Sequence, residues 1–311
     1  MRPTVLLAID DAELTQQIEA ELQRDGKVAY CGYGSPEAAG AELAACWFPR
    51  ADLLSAYPSL KAIQAVSAGV DHLGPALLNS SLPVSRIVDA GQKQGMLEYV
   101  LWGVLYYQRD FDRAIANQQQ QHWHLYPQKA AADLRIGVLG LGEMGRYVAG
   151  SLAAMGYRVS GWARSAKEIA GVTTFTAESG LQKMLSTSDV LVNLLPLTPQ
   201  TRGILNAAMF AAMPQGAVLI NAGRGGHLLE ADLIAALDSG QLRGAILDVF
   251  DEEPLRKGHP LWNSPGVLIT PHMASSASPS AIAAQITENA LRVAAGLPLL
   301  HQLGDGQPAH T

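Results

Sequence analysis

The sequence predicts an α/β protein made of two doubly wound parallel-sheet domains. Short apolar runs typical of buried strands alternate with helical patterns along most of the chain. The length of 311 residues suits about two domains, and an apolar fraction of 48% can bury a sizeable core. A glycine-rich turn between a strand and a helix, near the middle of the chain, is typical of a dinucleotide-binding sheet.

The first part of the chain alternates apolar runs with helical spacing. Helical periodicity predicts a helix over residues 12–22 and one long helix over residues 94–121, which could cross between the domains. Pro127 then marks a loop before the central strand. Strands are expected at residues 4–9, 28–31, 44–47, 61–66 and 84–88.

The alternation continues beyond the glycine-rich turn. Strands are expected at residues 134–138, 157–162, 190–195, 217–222, 245–249 and 267–270, and helices at residues 181–187, 206–213 and 230–239. A last helix, residues 279–295, follows the completed second sheet, so we expect it to pack on the first domain. The predicted domains are residues 1–97 with 277–311, and residues 98–276.

The glycine-rich turn has the spacing G-x-G-x-x-G. Gly140 allows a tight turn, Gly142 lets the backbone approach a pyrophosphate, and Gly145 lets the helix pack closely on the strand. The pyrophosphate would lie on the helix N-terminus, among unpaired N–H groups. The helix ends at Gly156, and we expect its apolar face to consist of Met144, Val148, Leu152 and Met155.

Composition excludes several classes of function. A net charge of −6 without a long basic run argues against a nucleic-acid partner. No run approaches the roughly 20 apolar residues of a membrane span. Cys31 and Cys46 fit neither a metal-ligand cluster nor a disulfide framework, and buried thiols suit a reducing cytosol. We therefore expect a cytoplasmic protein without a metal site.

Three polar residues follow successive predicted strands, at the sheet edge where doubly wound folds bind ligands: Arg224, Glu253 and His272. Arginine presents a permanently charged fork to a carboxylate or a carbonyl oxygen. A histidine beside a carboxylate can donate a proton near neutral pH. Each residue alone could instead be a surface arginine, a solvated loop acid or a capped loop histidine. Together they predict a site for hydride transfer.

Five segments resemble, in order, the signature segments of the D-isomer-specific 2-hydroxyacid dehydrogenases. They are residues 139–145, 193–201, 221–225, 247–255 and 270–272. Within that superfamily the chain is most similar to the glyoxylate/hydroxypyruvate reductase A branch. The segments that carry this closer resemblance are residues 47–49, 162–165 and 261–262.

The resemblance implies a Rossmann dinucleotide domain inserted in a flavodoxin-like substrate domain, and a homodimer formed mainly through the cofactor domains. The substrates would be small 2-oxo acids and their 2-hydroxy acid products. Arg224 would hold the carboxylate and carbonyl of the substrate, His272 would be the acid in keto reduction, and Glu253 would orient and charge His272.

The resemblance also implies further contacts. The substrate would meet Trp47, Gly69 and Val70, although Gly69 could be only a turn glycine and Trp47 only a core aromatic. The cofactor would meet Gly140, Leu141, Gly142, Glu143, Met144, Gly145, Arg164, Ser165, Leu195, Pro196, Ala222, Gly223 and Asp248.

The ribose position departs from the NAD pattern. An NAD enzyme carries an acid about 20 residues after the glycine loop, to bind the ribose 2′-hydroxyl. This chain has Arg164 there, with Lys167 nearby, and an arginine pairs with a 2′-phosphate. We expect NADP(H) as cofactor and NAD(H) as the weaker alternative, unless Arg164 is merely a solvated surface residue.

Two other functions are compatible with the pattern. One is an NAD-dependent dehydrogenase of the phosphoglycerate or D-lactate type, which Arg164 disfavours. The other is a non-catalytic nucleotide-sensing protein, which the trio of Arg224, Glu253 and His272 disfavours. The sequence offers no physical account of His227, three residues after Arg224.

Overall fold

A computed structural model describes residues 2–304 of the chain. Within these residues the chain forms two compact units, residues 2–92 with 276–304, and Lys93–Ser275. Met1 and residues 305–311, which the sequence analysis assigns to the first domain, lie outside the described residues. Each unit is a parallel sheet with helices packed on it, so the predicted fold class is confirmed.

The first unit contains a five-stranded parallel sheet. Its strands are β1 (Thr4–Ile9), β2 (Ala29–Gly32), β3 (Leu43–Trp47), β4 (Ala62–Ala65) and β5 (Val84–Ser85). Its helices are α1 (Ala12–Asp25), α2 (Leu53–Ala56), α3 (Gly74–Leu78) and α10 (Pro279–Ala294). The strand order β2-β1-β3-β4-β5 is the flavodoxin-like order.

Local capping explains where the two long helices of this unit begin. The Asp11 side chain accepts a hydrogen bond from the Leu14 N–H at 2.9 Å, and α1 begins at the next residue. Ser278 caps α10 in the same way, with Pro279 at the first helical position. The buried face of α10 packs with Ile18 of α1 in the core of this unit, as we expected from the sequence.

The second unit contains a seven-stranded parallel sheet. Its strands are β6 (Arg135–Leu139), β7 (Arg158–Trp162), β8 (Val172–Phe175), β9 (Val190–Asn193), β10 (Ala217–Asn221), β11 (Leu242–Leu247) and β12 (Val267–Ile269). The order β12-β11-β10-β9-β6-β7-β8 reverses direction at β6, which makes the β6–β9 boundary a topological switch point. The sequence analysis missed β8.

Helices cover both faces of this sheet. They are α4 (Ala90–Gln108), whose first three residues belong to the first unit, α5 (Phe111–Gln119), α6 (Glu143–Ala154), α7 (Ala177–Leu185), α8 (Ala207–Ala212) and α9 (Glu230–Asp238). Successive side chains of β10 show the alternation: Ile220 packs with Val104 of α4, and Leu219 packs with Phe210 of α8. No helix within residues 2–304 is long and apolar enough to cross a membrane.

Two expectations about helices are wrong. The long helix expected over residues 94–121 is two helices, because Asp110 adopts a left-handed conformation (φ +55°) that interrupts the pattern. Arg243 and Arg113 hold the Asp110 carboxylate there, at 2.6 and 3.2 Å. Met155 is 47% exposed rather than on the buried face, because α6 ends at Ala154 and Met155 is its C-cap.

Candidate active site

The glycine-rich turn forms a close-packed cradle at the switch point of the second sheet. Gly140 has φ +91°, a conformation that side chains rarely adopt. A Cβ on Gly145 would lie 1.7 Å from the Gly140 carbonyl oxygen, so only glycine lets α6 approach the strand this closely. Among the described residues no side chain caps α6 at Gly142. Its first N–H groups therefore suit a pyrophosphate, and the residues present fit a dinucleotide.

Other residues expected at the cofactor surround this cradle. Leu141 is buried against Gly161, and Met144 packs partly on the core. Glu143, in the first turn of α6, pairs with Lys93 at 2.7 Å. Arg164 and Ser165 lie in the exposed bend after β7. Arg164 takes part in none of the ion pairs or hydrogen bonds found within residues 2–304, so its guanidinium is available to an anionic ligand.

His272 and Glu253 form a hydrogen-bonded pair in the second unit. His272 Nδ1 lies 2.7 Å from Glu253 Oε2. The other carboxylate oxygen, Oε1, accepts the Phe250 N–H at 2.8 Å, which fixes the orientation of the carboxylate. Because an ionised carboxylate only accepts hydrogen bonds, the proton of this contact belongs to Nδ1.

The charges of this pair shift both pKa values. The hydrogen bond to Glu253 raises the pKa of His272 above its usual 6.5, against the opposing effects of burial and of the Arg224 charge. Burial opposes ionisation of Glu253, but its hydrogen bonds from His272 and Phe250 prevail and lower its pKa below 4.5. Arg224 contributes to both shifts, so the three predicted residues lie within electrostatic reach of one another.

Asp248 holds the segment that carries His272. Its buried carboxylate accepts hydrogen bonds from the Thr270 hydroxyl at 2.6 Å and from the N–H groups of Met273 and Ala274, each at 2.9 Å. The Asp248 carbonyl accepts the His272 N–H at 2.8 Å. These contacts fix His272 in a left-handed conformation (φ +51°), which is costly for a non-glycine residue unless its surroundings hold it.

Arg224 follows β10 on a turn that packs tightly against the Glu253 loop. A Cβ on Gly225 would lie 1.8 Å from the Phe250 carbonyl carbon, so only glycine permits this approach. Arg224 itself is half-buried, and its Nη1 donates to the Gly223 carbonyl at 2.8 Å. Ala222 and Gly223, expected near the cofactor, are buried just before it.

Sequence reasoning left His227 without a role and did not identify the buried polar group that it forms at this edge with Asn193 and Asn221. All three lie inside the motif segments or directly beside them, but nothing in the sequence shows that they meet. Their sequence signal is that Asn193 and Asn221 each interrupt a predicted apolar strand, at residues 190–195 and 217–222. Leu195 and Pro196, expected along the cofactor, follow Asn193 in the loop after β9.

The residues expected at the substrate lie in the first unit, at the carboxyl ends of β3 and β4. The Trp47 ring packs on Phe48 and His72, with centroid separations of 5.0 and 4.5 Å. Gly69 and Val70 lie in the loop after β4, where the Ser67 hydroxyl donates to the Gly69 carbonyl at 2.7 Å. Within residues 2–304 no cluster of three or more His, Cys, Asp or Glu side chains could hold a metal.

Comparison with known proteins places these features in a family. A family model for the D-isomer specific 2-hydroxyacid dehydrogenase NAD-binding domain matches residues 101–274. Glyoxylate/hydroxypyruvate reductase A of Serratia proteamaculans is 43% identical over 262 residues, which cover 82% of this chain and 84% of that protein.

Two solved structures are similar along nearly the whole chain. A D-isomer specific 2-hydroxyacid dehydrogenase family protein of Klebsiella pneumoniae 342 has a TM-score of 0.93 and 53% identity, over 97% of each chain. The NADPH-dependent glyoxylate/hydroxypyruvate reductase of Sinorhizobium meliloti, solved with NADP and sulfate, has a TM-score of 0.90 and 36% identity, over 99% of each chain.

Proposed function

The chain belongs to the D-isomer-specific 2-hydroxyacid dehydrogenase family, and from that premise we propose that it reduces small 2-oxo acids to 2-hydroxy acids with NADPH. Glyoxylate and hydroxypyruvate are the proposed substrates, because the relatives at 43% and 36% identity are named for them. The observation that carries the proposal is the His272–Glu253 pair within electrostatic reach of Arg224.

Each of these three residues has a proposed role in the reaction. When bound, NADPH supplies a hydride to the keto carbon of the substrate. Arg224 holds the substrate carboxylate and stabilises the negative charge that develops on the carbonyl oxygen. His272 delivers a proton from Nε2 to that oxygen, and Glu253 keeps the imidazole charged and oriented through Nδ1.

The cofactor assignment rests on the glycine cradle and on Arg164. The cradle around Gly140 and Gly145 suits the pyrophosphate of any dinucleotide. Arg164, exposed after β7, favours a ribose 2′-phosphate over a hydroxyl. We place NAD(H) second. The other proposed cofactor contacts are Leu141, Gly142, Glu143, Met144, Ser165, Leu195, Pro196, Ala222, Gly223 and Asp248.

The substrate contacts complete the proposal. Trp47 lines the substrate pocket, and the backbone N–H groups of Gly69 and Val70 bind the carboxylate. In this assignment residues 98–276 bind the dinucleotide, and residues 1–97 with 277–311 carry the substrate contacts.

A panel of small 2-oxo acids, assayed with NADPH and with NADH, tests the function. We expect turnover of glyoxylate and hydroxypyruvate with a preference for NADPH. Turnover of pyruvate or a phosphorylated 2-oxo acid with NADH would instead indicate a D-lactate or phosphoglycerate dehydrogenase. Cofactor binding without turnover of any acid would indicate a nucleotide-sensing protein and would refute the proposal.

We also propose a homodimer in the cytoplasm. Large apolar side chains are exposed on the second unit, in α4, in α5 and in the segment after them: Trp102, Phe111, Ile115, Trp123 and Leu125. Such a concentration is typical of a surface that another chain covers. Both cysteines are buried free thiols, which suits a reducing compartment, and cell fractionation should recover the protein with the cytosol.

A further inference from the structure

A buried polar network lies beneath the Arg224 turn. Asn193 ends β9, Asn221 ends β10, and His227 lies in the turn after Arg224. All three side chains have 0% exposure. Buried polar groups are costly unless they are hydrogen-bonded, so the pattern of their bonds shows what the network holds.

The hydrogen bonds define the tautomer of His227. His227 Nε2 lies 3.1 Å from the Pro196 carbonyl oxygen, which can only accept, so Nε2 carries the proton. Nδ1 lies 3.2 Å from the Arg224 N–H and 2.9 Å from Asn193 Nδ2, and both of these groups are donors. Nδ1 is therefore the acceptor, because a proton on it would face two other N–H groups.

The two asparagines extend the same pattern. Asn193 Nδ2 also donates to Asn221 Oδ1 at 2.9 Å, and Asn193 Oδ1 accepts the Leu195 N–H at 3.3 Å. Asn221 Oδ1 accepts the Gly223 N–H at 3.3 Å, and its Nδ2 donates to the Arg224 carbonyl at 3.4 Å. The network thus binds both backbone polar groups of Arg224.

We propose that His227 is a positioning residue that ties the loop after β9 to the Arg224 turn, and so aligns the cofactor-side backbone of Pro196 with the substrate-binding guanidinium. The proposal rests on the proposed reductase function. It assigns His227 no proton transfer to substrate, because the Nε2 proton is donated to Pro196 and the ring is buried.

Two conservative variants test the contacts of the two ring nitrogens of His227 separately. In His227→Asn the amide oxygen takes the place of Nδ1 as acceptor for the Arg224 N–H, while the donor to Pro196 is lost. In His227→Gln the amide nitrogen reaches the place of Nε2 as donor to Pro196, while the acceptor for Arg224 is lost. Each variant therefore removes the contacts of one ring nitrogen and keeps those of the other: Pro196 at Nε2, or Arg224 and Asn193 at Nδ1.

We expect a crossed kinetic result. His227→Gln should raise the KM for glyoxylate and lower kcat, with a fall in kcat/KM of roughly tenfold, while the KM for NADPH changes little. His227→Asn should raise the KM for NADPH by a few-fold and leave the KM for glyoxylate nearly unchanged. A merely structural role would move both constants together in both variants.

A matched control is His259→Asn. His259 Nδ1 accepts the Leu261 N–H of a different turn at 3.4 Å, and its Nε2 lies 3.3 Å from Glu230 Oε2. As in His227→Asn, this variant keeps an acceptor for the backbone N–H and removes the contact at Nε2. It should leave kcat/KM within about twofold of the wild type. Parallel changes in both KM values, or no change in either His227 variant, would overturn the proposal.

The wild-type protein provides a measurement that does not depend on the folding of the variants. A long-range 1H–15N spectrum of the histidine rings should show His227 with its proton on Nε2 and an unprotonated Nδ1. The opposite tautomer would overturn the proposal. If wild type binds NADPH and has this tautomer but reduces no 2-oxo acid, the reductase function fails while the hydrogen-bond network stands.

Discussion

At the scale of single residues, the contact between His272 and Glu253 determines the response to pH. His272 must be protonated to deliver its proton, and its pKa is raised by Glu253. We expect kcat/KM for glyoxylate reduction to be high at acidic and neutral pH and to fall as pH rises through that raised pKa. In Glu253→Gln the charge is gone, so the fall should move to lower pH.

The comparison is made with pH–rate profiles of both proteins at saturating NADPH. An unshifted profile in Glu253→Gln would contradict the role of Glu253.

The free energy of unfolding depends on pH through the same two pKa shifts. Because the pKa of His272 is raised in the folded protein, its contribution to stability is complete below pH 6.5 and is lost as pH rises through the raised value. Because the pKa of Glu253 is lowered, its contribution is complete above pH 4.5 and is lost as pH falls through the lowered value.

Replacement of Arg164 tests the choice of cofactor. Arg164→Ala removes the guanidinium proposed to pair with the 2′-phosphate. A charge-assisted hydrogen bond contributes about 1.5–3 kcal/mol, so kcat/KM for NADPH should fall roughly ten- to hundredfold, with little change for NADH. Steady-state kinetics with each cofactor measure this difference. Equal losses with both cofactors would remove Arg164 from the ribose site.

Gly225 tests the close approach of the Arg224 turn to the Glu253 loop. A methyl group there would lie 1.8 Å from Phe250 and 2.1 Å from the Asp251 nitrogen, and both contacts are to backbone atoms that cannot rotate away. Gly225→Ala should cost about 1–3 kcal/mol of stability and most of kcat. Denaturant unfolding and glyoxylate turnover measure the two effects.

The control for this variant is Gly40→Ala, at the end of a short 3-10 helix in the first unit. An added Cβ at Gly40 has no atom within 4 Å. This change should leave stability and turnover close to those of the wild type. Normal turnover in Gly225→Ala would show that the turn tolerates displacement.

Some of these residues could be predicted from sequence and others could not. Arg224, Glu253 and His272 follow predicted strands, and parallel strands bring their carboxyl ends to one edge, so their position at a common edge follows from the pattern alone. The contacts of Asn193 with Asn221 and His227 depend on β9 and β10 being neighbours in the sheet. Strand order is a property of the folded sheet, and no local pattern contains it.

At the scale of elements, the break between α4 and α5 depends on one buried ionic cluster. Arg243, in β11, donates to Asp112 Oδ2 at 2.9 Å and to Asp110 Oδ1 at 2.6 Å. Arg243→Met would leave two largely buried carboxylates without this partner. We expect the free energy of unfolding to fall by roughly 1.5–3 kcal/mol.

Denaturant titration measures this loss, and Arg24→Met is its matched control. Arg24 pairs with Glu21 on the exposed surface of α1, where an ion pair contributes no more than about 0.5 kcal/mol. A similar small change in both variants would mean that the cluster around Asp110 does not hold the helix break.

The break between α4 and α5 shows why the boundaries of helices and strands are hard to predict from sequence. Apolar spacing continues past Asp110, and the partner that holds its left-handed conformation, Arg243, lies more than a hundred residues away. The sequence analysis missed strand β8 for a different reason. Its four residues lie at the sheet edge, with no fully buried side chain, so they lack the apolar run that marks the central strands.

At the scale of the whole molecule, the exposed aromatic segment after α5 tests the proposed homodimer. Trp123 is 98% exposed and Leu125 is 86% exposed. If a second copy covers them, the double change Trp123→Ser and Leu125→Ser should weaken dimerisation by at least about a hundredfold. Sedimentation velocity at micromolar concentration measures the change.

Leu297→Ser is the control for this pair, because Leu297 is an exposed apolar side chain in the first unit. It should leave the sedimentation coefficient unchanged. A wild-type protein that sediments as a monomer at micromolar concentration would refute the homodimer.

The division of the first unit between residues 2–92 and 276–304 has a consequence for protein synthesis. The ribosome releases all five strands of the first sheet long before α10, whose Ile282 and Ile286 join the core beside Ile18. The second unit, by contrast, is one uninterrupted stretch of chain. During synthesis the second unit can therefore complete its fold before the first unit does. Until α10 has been synthesised, part of the apolar surface of the first sheet stays exposed and accessible to chaperones.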